Sequence, residues 1–117
     1  MVHRDIKPEN LLIDKHFRLV IADFNFATRL TPIYTHGAGS LLNDMPQQVF
    51  NPQVDRDISV GSVTYNAPEL WEIESRLSQI RQRNPSALTG TECLRYDGVK
   101  ADIFSAAATL FLLRTKF

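Results

Sequence analysis

Three side chains suited to phosphate chemistry stand within six residues near the start of the chain. They are the carboxylate of Asp5, the ammonium of Lys7 and the amide of Asn10, in the run His3-Arg4-Asp5-Ile6-Lys7-Pro8-Glu9-Asn10. Phosphoryl transfer asks a protein mainly for positioning and charge neutralisation. A carboxylate can orient an acceptor hydroxyl and take its proton, and a cation can offset charge on the moving phosphate. An amide oxygen can ligate a divalent metal without adding another full charge. A second carboxylate, Asp23 in Asp23-Phe24-Asn25, lies 18 residues after Asp5 (23 − 5). Taken singly, the first run reads as a charged, solvated turn and the second as a strand end. Asp5 and Asp23 doing acid–base chemistry on an unrelated fold is a further alternative.

These groups need elements to hold them. Leu11-Leu12-Ile13 reads as a short buried strand, Asp14-Lys15-His16 as a turn and Arg18-Leu19-Val20-Ile21-Ala22 as a second strand rich in β-branched residues. A β-hairpin is expected, although the usual Asn-Gly turn signal is absent. From Thr31 to Ser59 periodicity disappears among Pro32, Gly37, Gly39, Pro46 and Pro52, which predicts an irregular loop. A helix is expected from Pro68 through Leu77, Ile80 and Arg81, stopped by Asn84-Pro85. Asp102 to Leu113 reads as a buried helix, apolar on nearly every side, with Asp102 a candidate N-cap. Trp71 reads as a packing residue, and His16 and His36 as surface residues.

Together these runs resemble the catalytic domain of eukaryotic serine/threonine protein kinases. His3 to Asn10 resembles the family's catalytic loop, with lysine two residues after the aspartate as in the serine/threonine class. Asp23-Phe24-Asn25 occupies the place of Asp-Phe-Gly, and Gly61-Ser62-Val63-Thr64-Tyr65-Asn66-Ala67-Pro68-Glu69 resembles the substrate-docking loop ending in Ala-Pro-Glu. The resemblance implies Asp5 as catalytic base and Lys7 on the transferred phosphate, with Asn10 and Asp23 as magnesium ligands. It implies ATP and Mg²⁺ as cofactors, with Lys7, Glu9, Asn10, Leu12 and Asp23 lining the nucleotide site and Leu12 beneath the adenine. Ser62 would hydrogen-bond Asp5 and Lys7, and His3, Arg4, Phe24, Glu69 and Asp102 would give structural support. Asp102 would accept hydrogen bonds from the catalytic-loop backbone. Arg4 would pair with a phosphate on the segment that follows; Ser59 is the candidate phosphosite nearest the usual place, ahead of Ser40 and Thr35. Asn25 departs from the family's glycine. Asparagine tolerates positive φ better than most residues, so altered mobility rather than a lost metal site is expected.

The expected architecture is α+β: an incomplete protein-kinase-like C-terminal lobe, a small hairpin plus helices, with the N-terminal lobe absent. Residues 1–27 would carry the catalytic loop to Asp-Phe-Asn, 28–69 the activation and docking segment, and 70–117 the helical part with the central helix. Insertions are expected at 30–57 and 74–95. The expected activity is transfer of the ATP γ-phosphate to Ser or Thr hydroxyls of proteins. The chain by itself is expected to be inactive, since no glycine-rich phosphate loop or strand lysine is present in the 117 residues. The alternative is a catalytically dead scaffold or interaction module.

Composition sets the remaining limits. The chain is 44% hydrophobic and 22% charged, with thirteen basic and thirteen acidic residues, so bulk charge gives no argument for a nucleic-acid or membrane partner. The most apolar run, Ile103 to Leu113, is shorter than the roughly 20 residues a membrane span requires. One cysteine, Cys93, rules out an internal disulfide, and a cytoplasmic or nuclear location is expected.

Overall fold

A computed structural model of the chain describes residues 1–35, 47–55, 61–84 and 94–116. It contains helices and small antiparallel sheets. Strands β1 (Leu11–Ile13) and β2 (Leu19–Ile21) pair antiparallel, with Leu12 opposite Val20. β3 (Pro32–Thr35) pairs with β4 (Gln47–Phe50), and β5 (Gln53–Asp55) pairs with β6 (Arg95–Asp97). Helices α1 (Pro68–Arg83) and α2 (Gly98–Lys116) complete the described elements. No described helix is long and apolar enough to cross a membrane.

The β1–β2 hairpin forms where expected, and the missing Asn-Gly signal is explained by Asp14. Its carboxylate accepts from the amides of His16 (2.7 Å) and Arg18 (3.0 Å) and from Arg18 Nε (2.8 Å), closing the turn from a side chain. The bonds from Arg18, backbone first, hold the Asp14 carboxyl below the ordinary aspartate range. Phe17 takes the left-handed conformation at φ 59° while 92% exposed. That conformation crowds Cβ against the backbone and suits glycine far better than an aromatic residue. Phe17→Gly is therefore expected to stabilise the fold by about 0.5–1 kcal/mol, after the larger unfolded-state entropy of glycine is subtracted. A denaturant titration of both forms measures it.

β1 is not buried as expected, and β2 is exposed with it. Leu12 is 53% and Ile13 71% exposed, and Leu19, Val20 and Ile21 are exposed as well. A two-stranded ribbon cannot cover its own faces, and no described element is layered on either face of this one.

The segment from Thr31 to Ser59 also departs from expectation. Its described part is not irregular: it forms β3, β4 and β5. Prolines end strands here rather than prevent them, since Pro32 opens β3 and Pro52 directly precedes β5. Ser59, Ser40, His36 and Cys93 lie outside the described residues.

The core is small: Val2, Val54, Ala67, Leu70, Ile73, Leu77, Tyr96 and Ala101, with Leu30 and Leu94 against it. α1 contributes Leu70, Ile73 and Leu77, the apolar stripe of an amphipathic helix. Pro68 stands in its first turn, where a missing N–H costs little, and Arg81 and Arg83 complement the dipole of its last. Asn84 ends it in extended conformation, as a residue before proline favours.

α2 differs from its prediction at both its start and its surface. It begins at Gly98, and its cap is Asp97, whose carboxylate accepts the Lys100 amide at 3.0 Å; Asp102 lies inside the helix and is no N-cap. Only Gly98, Ala101, Ser105 and Thr109 are buried, while Ile103, Phe104, Leu110 and Phe111 are exposed. Small residues allow close approach on one side, while the large apolar residues Ile103, Phe104, Leu110 and Phe111 face outward. Trp71, expected to pack, is half-exposed beside a largely apolar cleft that Phe104 also lines.

Candidate active site

The loop from His3 to Asn10 is held from three sides. From below, the Asp102 carboxylate accepts the amide of His3 at 2.6 Å and of Arg4 at 2.8 Å. The buried His3 ring stacks edge-on against Phe24, centroids 4.8 Å apart. The Asp5 amide donates to His3 Nδ1 (3.3 Å), which places the ring proton on Nε2, and Nε2 donates to the Ala22 carbonyl at 3.0 Å. At the far end Pro8–Asn10 forms a 3-10 turn leading into β1, and Ala22 donates its amide to the Asn10 carbonyl at 2.8 Å. Ala22 is thus bonded to both ends of the loop and immediately precedes Asp23.

Within this frame the polar side chains converge. Asp5, 5% exposed, accepts Ser62 Oγ at 2.9 Å on Oδ1, and Lys7 Nζ (2.9 Å) and Asn10 Nδ2 (3.2 Å) on Oδ2. A carboxylate offers about four lone-pair positions. These three bonds therefore leave room for one further donor, such as an acceptor hydroxyl. Lys7 also donates to Ser62 Oγ at 3.0 Å, so one hydroxyl bridges acid and cation. The hydrogen bond to Asp5 raises the Lys7 pKa above 10.5 against partial desolvation, and the charges of Asp5, Glu9 and Asp23 add to the rise. Since the folded-state pKa is raised, this pairing contributes fully below the ordinary lysine pKa and fades only as pH climbs through the raised value. Lys7 thus keeps its charge at neutral pH, and it senses Asp5 and Asp23 together.

The sequence-predicted residues divide clearly. Asp5, Lys7, Asn10 and Ser62 meet directly, and His3, Phe24 and Asp102 support them. Asp23 is exposed at φ 63°, a conformation aspartate adopts more readily than most residues, and its Oδ1 accepts the Asn25 amide at 3.4 Å. The positive φ belongs to Asp23 and not to Asn25, so the expectation built on a left-handed Asn25 is corrected: a side chain there meets no such strain. Leu12 lies half-exposed on β1, and Glu9 is exposed in the 3-10 turn. Glu69, half-buried in the first turn of α1, has no ion-pair partner among the described residues. Arg4, at φ 69°, donates from Nε to the Phe26 carbonyl at 2.6 Å. It lines a cleft of about 430 Å³ with Arg29, Arg95, Thr28 and Thr31.

Two supporting residues escape a motif-based reading. Gly61 sits at φ 90°, and a Cβ there would come within 2.8 Å of the Arg4 carbonyl, so only glycine brings Ser62 this close to the loop. Ser105 Oγ lies 2.7 Å from the Tyr65 carbonyl and ties α2 to the turn after Ser62. A glycine directly before Ser62 was the available signal for the first; a serine within an apolar helix carries little signal for the second.

Removing the Asp102 carboxylate tests the support from below. Asp102→Ala leaves the His3 and Arg4 amides without their acceptor, a loss of about 2 kcal/mol for buried or half-buried donors. Amide exchange at His3 and Arg4 is expected to accelerate while exchange in α1 changes less.

The two magnesium candidates fit a hard cation. Asn10 spends its Nδ2 on the Asp5 carbonyl (2.8 Å) and carboxylate, which leaves Oδ1 as the atom that could meet a cation. Asp23 has no ion-pair partner among the described residues, and no three acidic, His or Cys side chains there cluster as a metal cage. One carboxylate and one amide oxygen suit a magnesium ion whose other ligands are water and phosphate.

Comparison with known proteins agrees with this geometry. The family model for the protein kinase domain matches residues 1–116. Serine/threonine-protein kinase PKH3 of Eremothecium gossypii is 36% identical over 91 residues, covering 73% of this chain and 12% of that protein. The serine/threonine-protein kinase SIK3 homolog of Danio rerio is 33% identical over 113 residues, 97% of this chain and 6% of that protein. The chain therefore spans only a small part of the length of these relatives. No solved structure matches it. A family model matching residues 1–116, which include the converged loop, the hairpin and Ser62, establishes that the chain belongs to the protein kinase domain family.

Proposed function

We propose that the protein carrying this chain transfers the γ-phosphate of Mg-ATP to Ser or Thr hydroxyls of protein substrates. The carrying observation is the Asp5–Lys7–Ser62–Asn10 network, which holds a nearly buried carboxylate with one lone pair to spare. Asp5 orients the acceptor hydroxyl and receives its proton. Lys7, charged and within 2.9 Å of Asp5, offsets charge on the moving phosphate. Asn10 Oδ1 and the Asp23 carboxylate hold magnesium, which when bound neutralises phosphate oxygens. A scaffold has no chemical need for these groups in register, so the interaction-module reading ranks second.

The 117-residue chain alone is proposed to be inactive, which the uncovered apolar faces of the β1–β2 ribbon and α2 support. The cleft shared by Arg4, Arg29 and Arg95 supports a regulatory phosphate on the 28–69 segment, with Ser59 as its proposed carrier. The direct test incubates the longest polypeptide encoded around this chain with radiolabelled Mg-ATP and peptides offering Ser, Thr or Tyr. Label on Ser and Thr, lost on chelation, is the expected result. No transfer to any acceptor overturns the reading.

A further inference from the structure

Val54 is a buried member of the hydrophobic core, whereas Leu30 is only partly buried against it. Val54 lies at the centre of β5, opposite Tyr96 of β6, and is 6% exposed. The Gly98 amide donates to the Pro52 carbonyl at 2.8 Å, extending the attachment to the first residue of α2. The seat beneath Val54 is made by absence. A Cβ at Gly98 would come within 2.9 Å of Val54 Cγ2 and 3.1 and 3.2 Å of the two Val2 methyls. Val2 is the residue before His3, and it exchanges both backbone hydrogen bonds with Thr28, at 2.9 and 3.0 Å.

One side chain thus lodges the segment directly against the base of the catalytic loop. Seven residues further on, at Gly61 (61 − 54), the chain must pass close to the Arg4 carbonyl so that Ser62 reaches Asp5 and Lys7. Seven residues span at most about 25 Å, so the anchor limits where that approach can occur. Valine suits the task, because its branched Cβ leaves χ1 little freedom.

We propose that Val54, seated on Val2 and Gly98, is a positioning residue that sets the docking turn at Ser62 against Asp5 and Lys7. Its kinetic consequence rests on the phosphotransferase reading above; its structural consequence does not. The test compares Val54→Ala with Leu77→Ala, a control in the same core but on α1. In the full-length protein, Val54→Ala is expected to raise KM for a protein substrate about tenfold while KM for ATP stays within about twofold, a misplacement effect rather than a lost chemical group. Exchange of the Tyr65 amide, which donates to the Ser62 carbonyl at 3.0 Å, is expected to quicken. That increase should be about tenfold beyond any general opening seen in Leu77→Ala. Gly98→Ala, which fills the seat, should mimic Val54→Ala, and the double variant should be less impaired than the sum of the two. Unchanged substrate KM and Tyr65 exchange in Val54→Ala, or the same pattern from Leu77→Ala, overturns the proposal. If the full-length protein transfers no phosphate, the function fails and the exchange comparison alone decides the role of Val54.

Discussion

Asp5→Asn is expected to lower kcat for phosphotransfer by about 10³-fold or more, the scale set by losing a positioned general base. Asparagine matches the shape and can still accept from Ser62 on its one carbonyl oxygen. It presents an NH₂ where Asp5 Oδ2 now accepts both Lys7 Nζ and Asn10 Nδ2, and it has no basicity toward an acceptor hydroxyl. Lys7 is not stranded by the change, because its side chain is 24% exposed and water can solvate it. The fold should therefore survive. The loss should appear in single-turnover chemistry, with KM for ATP changed by no more than about twofold, as for an interaction made only in the transition state. Retention of a tenth of the activity would show that Asp5 is not the base.

Asp23→Asn is expected to cost on the order of 10³-fold in catalytic efficiency at low magnesium, since it removes the full charge offered to the metal. Asparagine is the informative substitution here. Asp23 sits at φ 63°, and asparagine tolerates that conformation where alanine would add backbone strain. Geometry is thereby preserved and charge alone is deleted. Magnesium titration of the rate should move the half-saturating concentration upward and recover part of the activity at high metal. An unchanged magnesium dependence would remove Asp23 from the metal site.

The candidate constellation was unusually legible because it is written locally. Asp5, Lys7 and Asn10 share one turn, and a short hairpin carries the chain from Asn10 back to Asp23, so spacing alone nearly brings them together. Asp102 was legible only through resemblance. As a local signal it read nearly as well as an N-cap, and Asp97, three residues before Lys100, turned out to have that role. Burial was least legible. Leu12, Ile13, Ile103 and Phe104 are all apolar, yet all are exposed, because burial depends on what lies opposite and not on the residue itself.

The sequence by itself determined which acid, cation and amide occur together, that a hairpin follows them, and that a helix starts at Pro68 and is stopped by Asn84-Pro85, since turns, caps and periodicity act over a few residues. Only the tertiary structure decided that Ser62 bridges Asp5 and Lys7, that Asp102 holds the amides of His3 and Arg4, and that Val54 lodges on Gly98. Those contacts join residues 44 to 99 positions apart, from Val54 with Gly98 (98 − 54) to His3 with Asp102 (102 − 3). No local preference specifies such pairs; they follow from packing the whole chain around one small core.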